Sequence, residues 1–387
     1  MAARRKIALI YNYNEYWIGG TYYIQNLVAS LNHLPKKDRP YLTIISNGKK
    51  NVDDLKRITG YSRLSYRPMD GTLNFFSRVT NKISRLILKR NLISPDKSGL
   101  EIIFPIKDGE CLADFSNARK PLFWIPDLQE HFLPDFFTEE EIKRRVDFQM
   151  SVVNVGQDMV FSSEAARKDF NEVYPENNLN QHILRFAVSH PADAGAEVEN
   201  VLAKYQIPSR YLICSNQFWK HKNHQVILKA IHEVKKHIKE IFVVFTGKEY
   251  DYRYPHYFEE LKDLAAALGI NDNVRFLGFM DRKEQLALMK YSMAVIQPSL
   301  FEGWSTVVED SKSIGATLIV SDIDVHKEQL ENYSLKSFFP PLSEQRLSEL
   351  IIDVLKNGSK DNTLSEYDYL NDVKKFAETF NAVLNKL

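Results

Sequence analysis

Residues 294–310 read Ala294-Val-Ile-Gln-Pro-Ser-Leu-Phe-Glu302-Gly-Trp-Ser-Thr-Val-Val-Glu309-Asp310. The run opens as a short buried strand ending at Pro298, passes through a loop carrying Glu302 and Gly303, and enters a helix near Ser305 or Thr306. Thr306 followed three residues later by Glu309 fits a capping box if Thr306 is the N-cap. Such a helix offers free backbone N–H groups and a positive dipole end, a setting suited to a diphosphate. Glu302 stands just before that anion site, where a carboxylate can orient sugar hydroxyls and stabilise a cationic anomeric carbon. Asp310 lies about one turn into the helix, placed to accept hydrogen bonds from a ribose.

Working outward, the same order of strand, loop and helix recurs along the chain. Ile7-Ala-Leu-Ile-Tyr11 reads as a buried strand, followed by a loop with Gly19-Gly20 and then by Ile24, Leu27, Val28, Leu31 and Leu34 at helical spacing. Further strands are predicted at 41–45, 101–104, 121–125, 159–162 and 182–186. The pattern lapses between about 190 and 207, which reads as an interlobe linker region with a short polar helix. A second series then follows at 211–215, 241–245, 274–277, 294–297 and 317–321. Alternation of this kind implies parallel sheets covered on both faces by helices, with ligands beyond the carboxyl ends of the strands. The expected architecture is α/β, two Rossmann-like lobes in tandem. Residues 1–190 form the first lobe, 205–365 the second, and 366–387 a terminal helix.

Composition narrows the function. The chain has 387 residues, enough for two domains, and 44% hydrophobic with 12% aromatic residues suits a globular protein. Its 51 Lys and Arg balance 50 Asp and Glu for a net charge of +1, against a general nucleic-acid binder. Cys111 and Cys214 lie far apart without a Cys-x-x-Cys pattern, so neither a disulfide scaffold nor a structural zinc is expected, and a cytoplasmic setting is. A strand follows the basic Met1-Ala-Ala-Arg-Arg-Lys6 where a signal peptide would have its apolar core. No apolar run reaches the roughly 18–20 residues that span a bilayer. From 75 to 90, Phe75, Phe76, Val79, Ile83, Leu86 and Ile87 form a helical stripe beside Arg78, Lys82, Arg85, Lys89 and Arg90. A basic amphipathic helix of this type is either a solvated face of the first lobe or a site for an anionic membrane surface.

The 294–310 segment resembles the Glu-x7-Glu region of glycosyltransferase family 4, retaining enzymes of GT-B fold and group 1 type. Eight residues beyond Glu302 stands Asp310, and a one-residue shift turns a helical side chain by about 100°. Asp310 therefore takes the family's second carboxylate position, and Glu309 is read as the cap partner. Other stretches share the resemblance. Asn273-Val-Arg-Phe-Leu-Gly-Phe279 looks like the family's strand and turn beside the nucleotide base. Gly315-Ala-Thr-Leu-Ile-Val-Ser-Asp322 resembles the turn and strand after the donor helix. Ser215-Asn-Gln-Phe-Trp-Lys-His-Lys222-Asn223 matches a loop in which the family has Arg, four residues, then Lys-Asn or Lys-Gly. Lys222 matches the phosphate-binding lysine. Gln217 replaces the arginine, which removes a charge and a fork of donors, with Lys220 as the substitute. In the first lobe, Gly19-Gly20 resembles the glycine loop that approaches donor and acceptor. His131, in Phe123-Trp-Ile-Pro-Asp-Leu-Gln-Glu-His131, lies where the family often has a histidine facing the acceptor. The terminal helix resembles one that crosses back to the first lobe, and the two lobes of the family face a cleft.

The resemblance implies a hexosyltransferase-type enzyme that moves a sugar from a nucleoside diphosphate sugar, of UDP or GDP type, to a glycan or lipid-linked glycan. Polysaccharide or lipopolysaccharide synthesis is the implied setting. Glu302 and His131 are the implied catalytic residues, and Lys222, Lys220, Gly303, Ser305, Thr306, Asp310, Gly19 and Gly20 the donor-binding ones. No cofactor beyond the donor co-substrate and no metal is expected. Asp322-Ile-Asp324 spells the metal-binding motif of another transferase fold, but a tandem architecture does not suit it. The competing readings are a non-catalytic nucleotide-sugar-binding subunit, a sugar-nucleotide epimerase and, with a longer chain than this one usually required, a phosphorylase.

Overall fold

The structure is a computed structural model. It describes residues 6–69, 75–88, 100–115, 119–155, 157–190, 197–358 and 367–387. The expected basic N-terminus, the centre of the predicted linker and the predicted lobe boundary near 365 lie outside these residues.

The chain forms two compact units. The first comprises residues up to Phe132, Glu139–Ser189 and Leu370–Leu387; the second comprises Leu133–Thr138 and His190–Tyr369. The first unit holds a sheet of β1 (Lys6–Ile10), β2 (Tyr41–Ser46), β3 (Leu64–Pro68), β4 (Ile102–Ile106), β5 (Lys120–Ile125), β6 (Asp158–Phe161) and β7 (Asn180–Ile183). Its seven strands run in the order β3-β2-β1-β4-β5-β6-β7, every pair parallel. The second unit holds β8 (Leu212–Ser215), β9 (Val243–Thr246), β10 (Val274–Phe276), β11 (Val295–Gln297), β12 (Leu318–Ser321) and β13 (Lys336–Phe339). These six strands run β10-β9-β8-β11-β12-β13, again all parallel.

Burial on both faces explains the uninterrupted apolar runs. In β8, Leu212 and Cys214 enter one core cluster with Ile227, Ile231 and Leu347, whereas Ile213 enters the other with Leu288 and Val308. In β12, Ile319 joins the first cluster, and Leu318 and Val320 join the second. Successive side chains point to opposite faces, and both faces are covered by helices.

Two strands were not expected. β3 and β13 are edge strands whose residues are mostly half-buried, Leu64-Ser-Tyr-Arg-Pro68 and Lys336-Ser-Phe-Phe339, so neither carries a fully apolar run. The helix Val198–Tyr205, expected in the linker region, sends Val201 into the second unit's core. The terminal helix Tyr369–Lys386 buries Val373, Phe376, Phe380 and Leu384. Phe376 meets Tyr23 at 5.9 Å and Phe380 meets Phe104 at 5.8 Å, so this helix packs on the first sheet.

Each sheet reverses its winding once, between β1 and β4 and between β8 and β11. Beyond the carboxyl ends at such a switch point the loops diverge and leave a crevice, which is where open α/β sheets place ligands.

Candidate active site

The loops leaving β8 and β11 meet at the second switch point. Gln297, the last residue of β11, is fully buried and links them: its oxygen accepts from Asn216 Nδ2 at 2.6 Å. Its Nε2 lies 3.1 Å from Ser299 Oγ, 3.0 Å from Ser305 Oγ and 3.0 Å from Glu302 Oε1. Ser299 Oγ donates to the same Glu302 oxygen at 2.7 Å, and Lys222 Nζ reaches it at 2.5 Å. Three donors thus converge on Oε1, while Oε2 has no hydrogen-bond partner among the described residues. The loop is also held from outside. Ser321 Oγ donates to Ser299 O at 2.6 Å, Leu300 N to His221 O at 2.9 Å, and Asn223 Nδ2 to Pro298 O at 3.2 Å.

Lys222 ends a single helical turn, Lys220–Lys222, and Asn223 then takes a left-handed conformation at φ 55° before the helix His224–Lys235. Gly247, at φ 143°, lets the following loop approach closely: a Cβ there would lie 2.0 Å from Asn216 O. Lys220 points elsewhere. Its ammonium stands 4.1 Å from the centre of the Tyr254 ring and 5.7 Å from that of Phe136. Gln217, at the family's arginine position, is half-buried on the same loop.

The helix after the loop spans Thr306–Ser313, and its N-cap is Ser305, whose hydroxyl accepts from Val308 N at 3.4 Å. The capping box built on Thr306 is therefore corrected. Gln329 decides the matter, because its side chain accepts from Ser305 N at 3.0 Å and donates to Ser305 O at 3.1 Å, fixing Ser305 outside the helix. Glu309, expected as the cap partner, is buried. It accepts from Lys312 at 3.1 Å, Gln329 at 3.0 Å and Tyr369 at 2.8 Å. With Ser305 N and Val308 N engaged, the amides of Thr306 and Val307 have no hydrogen-bond partner among the described residues.

Asp310 is fully buried: Arg282 Nη2 bonds Oδ1, and His190 Nε2 lies 3.2 Å from it. Burial by itself would raise its pKa, but the Arg282 charge and the His190 contact outweigh that and hold it below the ordinary carboxylate value. Arg282 continues to Gln285 at 2.8 Å, and Gln285 to Ser215 Oγ at 2.6 Å. The position expected to bind ribose is thus a node in the network between the 306–313 helix and β8.

His326 gave no local signal in sequence. It is fully buried in the helix Asp324–Gln329, with Nδ1 at 2.9 Å from Ser321 O, while Nε2 has no partner among the described residues. Burial pushes its pKa down to about 4; the Glu302 carboxylate and the Ser321 carbonyl oppose the shift and the Lys222 charge adds to it, so the ring is neutral at pH 7. Asp322 pairs with Lys327 at 2.8 Å, and among the described residues no three His, Cys, Asp or Glu gather as metal ligands.

The structure therefore brings Lys222, Glu302, Gly303, Ser305 and Thr306 together, with Asp310 one turn further along. Gly19, Gly20 and His131 belong to the first unit. Gly19 and Gly20 lie in the first turn of the helix Ile18–Ser30, and a Cβ on Gly20 would come within 2.4 Å of the Trp17 ring. His131 Nε2 is bonded to Gln149 Oε1 at 2.9 Å, and the ring stands edge-on to Tyr174 at 6.0 Å.

Comparison with known proteins agrees with this architecture. Over 99% of its length the chain resembles a glycosyltransferase from Rickettsia africae ESF-5, with a TM-score of 0.62, 16% identity and 94% of that chain covered. It likewise resembles Anabaena Alr3699/HepE, crystallised with UDP and glucose, at a TM-score of 0.67 and 13% identity, covering 99% of this chain and 100% of that one. The fold is GT-B, the two-lobed α/β arrangement of these glycosyltransferases. Residues 199–370, within the second unit and the first residue of the terminal segment, match the family model Glycosyl transferases group 1. An uncharacterized glycosyltransferase of Bacillus subtilis (strain 168), YqgM, is 24% identical over 131 residues, which span 34% of this chain and 35% of that relative's length.

Proposed function

We propose that the protein transfers a sugar from a nucleoside diphosphate sugar to an acceptor hydroxyl, with the donor at the second unit's switch point. The observation that carries this is the meeting of Lys222 and Glu302 at 2.5 Å, next to the Thr306 and Val307 amides. A cation and a helix N-terminus supply positive field where charge develops on a leaving diphosphate, while Glu302 Oε2 faces the sugar side. The protein's own positive groups make the reaction metal-independent, and by family resemblance the configuration is retained. The first unit takes the acceptor, a glycan or lipid-linked glycan of surface polysaccharide or lipopolysaccharide type, with His131 beside it. Gly19 and Gly20 approach the donor phosphates, Lys220 stands in for the missing arginine, and Asp310 is the proposed ribose contact.

Thermal unfolding with UDP, GDP, ADP and dTDP, each with and without EDTA, tests the donor site. UDP leads the panel because HepE binds it. One nucleotide at about 100 times its Kd should stabilise the fold by about 2.7 kcal/mol, a shift of several degrees that EDTA leaves intact. No shift with any of the four would count against the reading. A shift without turnover would instead favour the non-catalytic subunit, which Gln217 in place of arginine and Asp310 in place of glutamate motivate.

Membrane association belongs to the same proposal. In the helix Phe75–Leu88, Phe76 is 79%, Val79 40% and Ile83 51% exposed, whereas the polar Asn81 and Ser84 are buried. These three apolar side chains thus face outward and these two polar ones inward, unlike the arrangement on an ordinary surface helix. Lys82 is exposed beside them. The side chains of Phe75, Arg78, Arg85, Leu86 and Ile87, together with Lys89 and Arg90, lie outside the described residues. The protein should co-sediment with phosphatidylserine vesicles at low salt, and Phe76→Ser with Ile83→Ser should abolish this. Equal sedimentation of the variant would remove the helix from the account.

A further inference from the structure

Around His131 the first unit gathers side chains from three stretches of its chain. Glu130 and His131 lie on the short helix Gln129–Phe132, Arg145 and Gln149 on the helix Glu139–Val155, and Tyr174 just after the helix Glu164–Val173. Arg145 and Gln149 are one helical turn apart, so a single helix face presents both to Glu130. We infer that Gln149 is a positioning residue: it holds the His131 ring as its Nε2–H tautomer, so that Nδ1 presents a lone pair to a ligand hydroxyl. That this ligand is the acceptor rests on the transferase reading above.

The hydrogen bonds leave one assignment. Arg145 Nη1 pairs with Glu130 Oε2 at 3.0 Å, so the buried Glu130 is a carboxylate and only accepts. Its other oxygen is bonded to the Gln149 amide, which must therefore turn Nε2 towards it. With the amide turned over, two acceptor oxygens would face each other away from water, a costly arrangement. Gln149 Oε1 is thus directed to the opposite side, where Tyr174 Oη reaches it at 2.7 Å and His131 Nε2 at 2.9 Å. A carbonyl oxygen only accepts, so His131 Nε2 carries the proton. In the neutral ring Nδ1 is then bare.

The surroundings keep this arrangement in place. Glu130 stands 4.0 Å from His131 Nε2, beyond hydrogen-bonding reach, so its hold on the ring passes through Gln149. Burial, with the Glu130 charge adding to it, pushes the Tyr174 hydroxyl up to about 12, and that hydroxyl donates at neutral pH. The Tyr174 ring lies at 86° to the imidazole and restrains its rotation. Gln149 and Glu130 are both buried, whereas the His131 side chain is 23% exposed. His131 Nδ1 has no hydrogen-bond partner among the described residues.

The test is the nitrogen NMR spectrum of the imidazole rings, recorded on the full chain carrying isotope-labelled histidine. At about pH 8 an ordinary imidazole is neutral. The chain has 10 histidines, and the signals lost in His131→Asn identify the ring. Wild type should show Nε2 protonated and Nδ1 bare. Gln149→Met keeps the length of the side chain and loses the carbonyl, so the ring should become a mixture of both tautomers. Nucleotide release from the donor found by the thermal-shift panel should fall about tenfold in this variant. The double variant Glu130→Gln with Gln149→Glu exchanges amide and carboxylate while keeping an acceptor opposite Nε2. It should restore the Nε2–H ring and most of the rate, and it carries the test if Gln149→Met folds poorly. A bare Nε2 in wild type, or an unchanged spectrum in Gln149→Met, would overturn the inference. An Nε2–H ring with normal nucleotide release in His131→Asn would sustain the tautomer and sink the placement of His131 at the acceptor instead.

Discussion

Turnover of the Glu302→Gln protein should fall by about two to three orders of magnitude while the nucleotide thermal shift persists, the loss expected when one preorganised electrostatic group is removed. Glutamine keeps the size of the side chain and an oxygen able to accept from Ser299 and Lys222, so the loop geometry survives and the negative charge alone is lost. This separates chemistry from scaffolding. If Glu302 only anchors Lys222, the substitution would disturb the phosphate side and raise KM with kcat near normal. If it acts at the anomeric centre, kcat falls and the donor still binds. Near-wild-type kcat would refute the catalytic assignment.

Asp310→Ala should destabilise the fold by about 3 kcal/mol, the lower end of the cost of breaking a buried ion pair, because the Arg282 side chain left behind is 27% exposed. Urea unfolding of the variant gives the figure, and addition of Arg282→Gln should recover part of it. The pH dependence follows from the depressed pKa of Asp310. Its contribution is complete above the unfolded-state value of about 3.9 and is lost as pH falls through the lower folded-state value. The stability gap between wild type and Asp310→Asn should therefore be full at pH 7 and narrow below about pH 4. A gap unchanged at pH 3 would show that packing, and not the charge, carries the effect.

Much of the architecture is legible residue by residue. A parallel strand covered on both faces must be apolar throughout, so β1, β8 and β12 announce themselves; β3 and β13, at the edges, lack that constraint and read as loop. In the candidate site, the strand-loop-helix run around Glu302 is local and visible, including the carboxylate before a capped terminus. The choice between Ser305 and Thr306 as cap is not, because it turns on Gln329, 24 positions from Ser305.

The sequence by itself determined two parallel-sheet lobes, the loop that bears Glu302 and the lysine-rich loop opposite, since periodicity, turn chemistry and capping are short-range. Tertiary structure decided which lysine meets Glu302: Lys220 and Lys222 are two residues apart, yet one lies over Tyr254 and the other reaches the carboxylate. It also decided that Asp310 is held by Arg282, 28 positions away, and that Trp17 seats over Gly20 at the first switch point. Contacts between distant stretches of chain leave no periodic mark in the residues that make them. They exist only once each sheet has closed its own core and brought the loop ends at its own switch point together.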